Sequence, residues 1–111
     1  ERSNENKRVL AAARGASGDI SGGRSLMEEL VKHEAGHESW KAWAQFDAPT
    51  ALTRVKEHLE KSPKNGSLWM GLAYVHMKQG DKAEARKAIE KALEFEPQNW
   101  VYRMEQSQLL R

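Results

Sequence analysis

Cysteine is absent from this sequence of 111 residues, and so is any long apolar run. Without cysteine the chain can form no disulfide, no thiolate zinc site and no covalent c-type haem attachment. A bilayer span needs about 18 or more consecutive apolar residues, and no window of the sequence supplies them, so no membrane span is predicted. The absence of cysteine is compatible with a reducing or an oxidising compartment, which leaves both a cytoplasmic and a periplasmic location open.

An excess of charge of either sign is also missing. The chain has 18 Lys and Arg against 16 Asp and Glu, for a formal net charge of +2. Binding of nucleic acid through counterion release needs basic side chains clustered on one face, so the interspersed charges argue against a nucleic-acid partner. The length fits one small domain and leaves too little chain for a separate catalytic module.

Residues 1–24 are predicted to be an extended linker with a possible short helix at VLAAAR. The stretch GASGDISGG that follows has four glycines and two serines, a composition typical of a flexible linker or of a loop shaped by a partner. Ser25 and Glu28 then form an S-x-x-E capping box. This pattern predicts a helical domain over 25–111, with its first helix starting at about Leu26.

Runs that alternate β-branched with polar residues are lacking beyond a few positions, so strands are not predicted and the expected fold class is all-α. The helical run ESWKAWAQF is predicted to end near Asp47, whose carboxylate can cap the helix that Pro49 enters at its first turn. That helix has one apolar face at three- and four-residue steps, formed by Ala51, Leu52, Val55 and Leu59.

The segment 66–99 reads GSLWMGLAYVHMKQGDKAEARKAIEKALEFEPQN and has the spacing of a helix-turn-helix repeat. The pattern consists of W-x-x-L, a small residue, A-x-x-x-F-x-x-A and a terminal proline. These positions hold Trp69, Leu72, Ala73, Ala85, Ile89, Ala92 and Pro97. The segment resembles one tetratricopeptide (TPR) repeat, a unit of about 34 residues. Two positions depart from the family pattern, because Ile89 replaces an aromatic residue and His76 stands where tyrosine is common.

The residue types of this segment suit close packing between two helices. Ala73, Ala85 and Ala92 are small enough to let two antiparallel helices approach closely. Gly80 is expected to adopt the left-handed conformation that ends the first helix, and Asp81 to cap the second. The resemblance implies a right-handed superhelical stack of antiparallel helix-turn-helix units.

By this resemblance the helical domain divides into a degenerate repeat at 37–65, the TPR repeat at 66–99 and a capping helix at 100–111. A shift by one repeat length brings the second helix of the degenerate repeat into register. Its first helix fits only if about five residues are missing from the turn between the two helices. Asn99 is expected to cap the last helix. That helix is expected to cover the last repeat through Trp100, Val101, Met104 and Leu110.

TPR proteins use the first helix of each repeat to line a groove that holds a peptide or another protein's surface. The resemblance places Met70, Tyr74, Met77 and Lys78 in that groove. Chaperone-binding members carry lysine and asparagine at such sites, so Met70 and Tyr74 disfavour chaperone tails and favour an apolar contact with an aromatic anchor. The alternative is that Met70 and Tyr74 pack against the neighbouring helix.

Trp40 and Trp43 are three residues apart and share one helix face. Core packing and partner contact are both open for them, because exposed tryptophan pairs mark interfaces. We include both among the predicted partner-binding residues.

The string HEAGH matches the H-E-x-x-H pattern of zinc hydrolases through His33, Glu34 and His37. A metzincin continuation would have glycine and histidine where this chain has Trp40 and Trp43. The same letters fit a continuous helix in which the histidines lie at a packing edge, and we favour that interpretation. No metal site and no cofactor are therefore predicted, and a zinc site at these three residues is the alternative.

The sequence predicts a non-enzymatic protein-interaction scaffold that acts as an accessory or assembly subunit. The alternatives are a fragment of a zinc-dependent hydrolase that uses HEAGH and a peptide-binding chaperone or adaptor. About three TPR repeats are needed for independent stability, and this chain shows one good repeat, one degenerate repeat and a cap. A homo-oligomer or a subunit of a larger complex is therefore expected.

Overall fold

The computed structural model describes residues 2–33 and 37–109. The regular secondary structure of this part of the chain is helical, which confirms the all-α fold class. The helices are α1 (Arg2–Ala16), α2 (Ile20–His33), α3 (His37–Lys61), α4 (Gly66–Lys78), α5 (Lys82–Phe95) and α6 (Trp100–Leu109).

These helices form three antiparallel hairpins followed by α6. In the first hairpin α1 packs against α2, and in the third hairpin α4 packs against α5. The second hairpin is α3 alone, which folds back at Asp47. The rings of Trp40 and His58, one on each side of this reversal, lie 5.4 Å apart between centroids. We refer to residues 37–46 as the first half of α3 and to 48–61 as its second half.

The turns of the first and third hairpins have the same geometry. Each contains a Gly-Asp pair whose glycine is left-handed, with φ of 102° at Gly18 and 82° at Gly80. In both turns the aspartate N–H donates to the carbonyl five residues before it, at 2.8 Å for Asp19 and 2.9 Å for Asp81. Each aspartate side chain then accepts the N–H three residues later, at 3.0 and 3.2 Å. The predicted roles of Gly80 and Asp81 are confirmed, and the first hairpin uses the same turn.

Capping interactions recur at equivalent repeat positions before α4 and α6. The side-chain oxygens of Asn65 and Asn99 each accept the N–H groups two and three residues later, at 3.0 and 3.4 Å for Asn65 and 3.1 and 3.3 Å for Asn99. Trp69 donates its indole N–H to the carbonyl six residues before it at 2.8 Å, and Arg103 donates to the equivalent carbonyl at 3.1 and 3.2 Å. The predicted Asn99 cap is confirmed, and α6 begins as the first helix of a further repeat would.

The reversal within α3 depends on one buried carboxylate. Asp47 has non-helical dihedral angles (φ −152°, ψ 56°), and its oxygens accept Arg24 Nε at 2.8 Å and the Trp43 indole N–H at 3.1 Å. Burial alone would raise the pKa of Asp47, but hydrogen bonds from Arg24, Trp43 and Thr50 together hold that pKa below its usual value. The predicted helix end near Asp47 is confirmed, and the turn of this hairpin is reduced to a single residue.

On each side, α3 places an aromatic ring against glycine. A Cβ atom at Gly15 would collide with the ring of Phe46, and one at Gly23 would lie 2.8 Å from the same ring. Towards the third hairpin, a Cβ at Gly71 would lie 2.6 Å from Trp40 Cδ1. Because these distances are shorter than van der Waals contact, only glycine lets the neighbouring helices approach α3 so closely.

The predicted start of the first long helix is wrong. α1 is a helix of 15 residues rather than two turns, and α2 begins at Ile20, so Ser25 lies inside the helix and cannot cap it. Asp19 caps α2 instead. The glycines that suggested a linker over 1–24 supply one turn and the close approach to Phe46.

α6 covers the third hairpin with a different residue from those predicted. Tyr102 is buried, and its hydroxyl lies 3.1 Å from Ser67 Oγ. Trp100 is 68% exposed and Met104 is 42% exposed, so the prediction that they cover the last repeat is wrong. Leu110 lies outside the described residues. The helix therefore turns two of its large apolar side chains away from the core.

Candidate functional site

Four helices enclose an open groove of about 610 Å³. α1 and α6 form its walls, and the first half of α3 together with α4 forms its floor. The apolar lining consists of Val9, Ala12, Ala42, Tyr74, Val101 and Met104, and the polar lining of Glu38, Lys41, Gln45 and Glu105. We call this space the apolar groove.

Tyr74 ties the floor of the apolar groove to the α6 wall. Its hydroxyl donates to Glu105 Oε2 at 2.6 Å, and Lys41 Nζ lies 5.2 Å from the centre of its ring and 3.9 Å from Glu105 Oε2. Burial, the hydrogen bond to Glu105 and the nearby carboxylates all raise the pKa of Tyr74. The phenol is therefore neutral at physiological pH and acts as a fixed donor.

A smaller hollow of about 200 Å³ continues the floor towards the carboxyl ends of α4 and of the first half of α3. Its lining consists of Lys41, Ala44, Gln45, Tyr74, Met77 and Lys78. Lys78 Nζ donates to Gln45 Oε1 at 3.4 Å. Of the described residues that line this hollow, two are basic and none is acidic, so we call it the basic end of the groove.

A comparison with known protein families identifies the type of helical repeat. Residues 42–109 match the family described as Tetratricopeptide repeat, which is more than half of the chain. The chain belongs to the tetratricopeptide repeat family. This TPR protein is also 29% identical over 69 residues to the Bacillus subtilis (strain 168) protein named "Uncharacterized protein YkzC". That match covers 62% of this TPR protein and 46% of its relative, so the chain spans about half the relative's length.

Three of the six predicted partner-binding residues lie at the groove of this TPR protein. Tyr74 lines both parts of it, and Met77 and Lys78 line the basic end. Tyr74 is nevertheless only 5% exposed, so it also packs against the neighbouring helices. Their contact with a partner stays a prediction.

The other three predicted binding residues lie in the core of this TPR protein. Trp40, Trp43 and Met70 have no exposed surface, and the two indole rings stack with centroids 5.7 Å apart and an interplanar angle of 8°. Their prediction as partner contacts is wrong, because the reversal at Asp47 encloses the tryptophans between the halves of α3 and the adjacent hairpins. The alternative of core packing holds for all three.

Sequence reasoning missed most of the groove walls. Val9 is 63% exposed on α1, and Val101 and Met104 face it from α6. Lys41 and Gln45 were also missed, although each lies nearly one repeat length before a predicted groove residue, Tyr74 or Lys78 in turn. That near-repeat spacing was a signal that could have found them.

The HEAGH string lies largely outside the described residues of this TPR protein. Nothing is described for Glu34, and the side chains of His33 and His37 are not described. Among the residues that are described, no group of three or more His, Asp or Glu side chains could hold a metal ion. The described helices also include none that combines the length and the apolar content of a membrane span.

Proposed function

We propose that this TPR protein is a non-enzymatic protein-interaction scaffold, an accessory or assembly subunit whose groove holds a segment of a partner protein. One observation supports this proposal above the others. The large apolar side chains that are exposed in the described part of the chain all lie on the two helices that form the groove walls. They are Val9 and Leu10 on α1 and Trp100 and Met104 on α6.

Such exposure is unfavourable for an isolated chain. Each Å² of apolar surface left in water forgoes about 25 cal/mol, and exposed apolar side chains that cluster around a concave surface are typical of interaction sites. The contact between α6 and the third hairpin does not need Trp100 or Met104, because Tyr102 already fills it. A partner segment in the groove would bury Val9 and Met104, which line it.

The three hairpins bear on the predicted assembly. The expectation of a homo-oligomer or of a subunit in a larger complex depended on a missing repeat, and the α1–α2 hairpin supplies a third helix pair within the same chain. The open groove is the remaining support for an assembly. On that ground we propose a complex with a different protein as the main assembly, and a homo-oligomer stays a prediction.

Site-specific photocrosslinking in cells tests the proposal without a known partner. A benzophenone side chain is placed at Gln45 in the groove or at Lys91, which is half exposed on α5 away from the groove. We expect a discrete crosslinked species from Gln45, its loss when Val101→Glu is added, and none from Lys91. Crosslinks of equal yield from both positions, or from Lys91 alone, would contradict a groove function.

A further inference from the structure

The two ends of the groove differ in chemistry. The first half of α3 and α4 run side by side in the same sense, because Lys41 lies over Tyr74 and, one turn later on both helices, Gln45 meets Lys78. One turn of helix rises about 5.4 Å. The wide apolar space and the basic end, with Lys41 and Lys78, therefore follow one another along the axis of the groove.

The charges along this axis are unevenly distributed, because the described acidic lining residues lie only at the wide apolar space. Glu38 lies one turn before Lys41 on the same face of α3, at the level of the wide apolar space. The charge of Glu105 is offset by the Tyr74 hydroxyl at 2.6 Å and by Lys41 at 3.9 Å. Beyond Lys41 the described lining includes Lys78 and the neutral Gln45. A negative side chain of a partner is therefore favoured at the basic end.

We propose that the groove selects a partner segment in which a bulky apolar side chain is followed or preceded, three or four residues away, by Asp or Glu. The apolar side chain enters the wide space between Val9 and Met104, and the carboxylate lies between Lys41 and Lys78. This inference depends on the proposed scaffold function, since it names the chemistry of the segment that the same groove binds.

A side-chain carboxylate fits this site better than a chain terminus. Tyr74 donates its hydroxyl to Glu105, and Met70 is fully buried below the floor. Neither adds a fixed hydrogen-bond donor at the basic end, so a carboxylate there meets chiefly the two flexible lysines. Two long cations on adjacent helices can instead follow an acidic side chain in several positions.

Selection from a phage-displayed library of random internal peptides tests the proposal with the whole chain. Enriched sequences are then made as peptides with free or amidated carboxyl ends, and their dissociation constants are measured by fluorescence anisotropy. We expect enrichment of an aromatic or large aliphatic residue with Asp or Glu three or four positions away, and the same affinity for the free and amidated forms.

Three variants test the apolar contact and the acidic contact separately. We expect Lys78→Glu to weaken the selected peptides at least tenfold and to favour versions in which Lys replaces the acidic residue. Val101→Glu should weaken every peptide at least tenfold. Lys91→Glu makes the same charge change on α5 and should alter affinity less than twofold. Thermal melts of each variant are recorded, with Lys78→Gln as a second test because Lys78 also interacts with the carboxyl end of α4.

The outcomes distinguish this inference from the proposed function. If Val101→Glu abolishes binding while both Lys78 variants bind like wild type, the groove binds proteins but the acidic preference is refuted. A requirement for a free carboxyl end also refutes it. If no peptide is enriched, or if Val101→Glu does not weaken binding, both the acidic preference and the scaffold function are refuted.

Discussion

The first and third hairpins flank α3, and they contact it in different ways. The first hairpin accepts the half-buried ring of Phe46 against Gly15 and Gly23 and adds the ion pair of Arg24 with Asp47. The third hairpin accepts the fully buried ring of Trp40 against Gly71.

The hairpin turns are nevertheless alike on both sides. Gly18 and Gly80 have the same left-handed conformation, and the same hydrogen bonds follow each of them. What recurs in this TPR protein is therefore the backbone geometry of the turns and caps. The side-chain packing between adjacent hairpins differs from one junction to the other.

The largest expected difference between the junctions concerns their aromatic rings. Trp40→Ala should lower the free energy of unfolding by about 3–5 kcal/mol, because it leaves a cavity beside Trp43 and Gly71. Phe46→Ala should cost about 2 kcal/mol, since that ring is only half buried. Urea unfolding followed by circular dichroism measures both values. A greater loss from Phe46→Ala would reverse our ranking of the two junctions.

The glycine contact of the first junction should show strong coupling. Gly15→Ala is expected to cost about 1–3 kcal/mol, because the new methyl group and the Phe46 ring need the same space. In a Phe46→Ala background the same substitution should cost less than about 0.5 kcal/mol, or stabilise the helix. A double-mutant cycle measures this coupling. Additive effects would show that Phe46 does not restrict Gly15.

The ion pair should make the first junction sensitive to acid. Because the pKa of Asp47 is lowered in the folded state, its contribution to stability is complete above the unfolded value of 3.8 and is lost as the pH falls below it. Asp47→Asn should cost about 1 kcal/mol at pH 7 and progressively less below pH 3.8. Urea unfolding at several pH values checks this. A constant difference between variant and wild type down to pH 2 would contradict the lowered pKa.

The smallest expected effects concern the turns, where the hairpins should behave alike. Alanine at either Gly18 or Gly80 must adopt a positive φ, which costs about 1 kcal/mol. Neither position has an atom that the new Cβ would meet within 4 Å, so strain in the backbone is the main cost. Thermal melts of Gly18→Ala and Gly80→Ala should agree within about 0.5 kcal/mol. Unequal losses would show that the two turns differ in more than sequence context.

Features encoded in neighbouring residues could be predicted from the sequence. The turn at Gly80 and Asp81, the cap at Asn99 and the helix end at Asp47 each depend on a local backbone preference that the residue type reveals. The repeat register also placed Tyr74 at the groove.

Features that depend on distant contacts could not be predicted. Gly15 and Gly23 looked like linker residues because the ring that requires them, Phe46, lies far along the chain. The dipeptide Gly18-Asp19 has the same sequence as Gly80-Asp81, yet the surrounding glycines suggested a linker instead of a hairpin turn.

The reversal within α3 has a consequence for how the molecule can be cut. Proteases nick exposed connections between helices, and such connections occur at 17–19, 62–65, 79–81 and 96–99. Asp47 reverses the chain with no loop and is only 7% exposed. Limited digestion of the folded protein should accordingly leave both halves of the 25-residue α3 joined in one fragment.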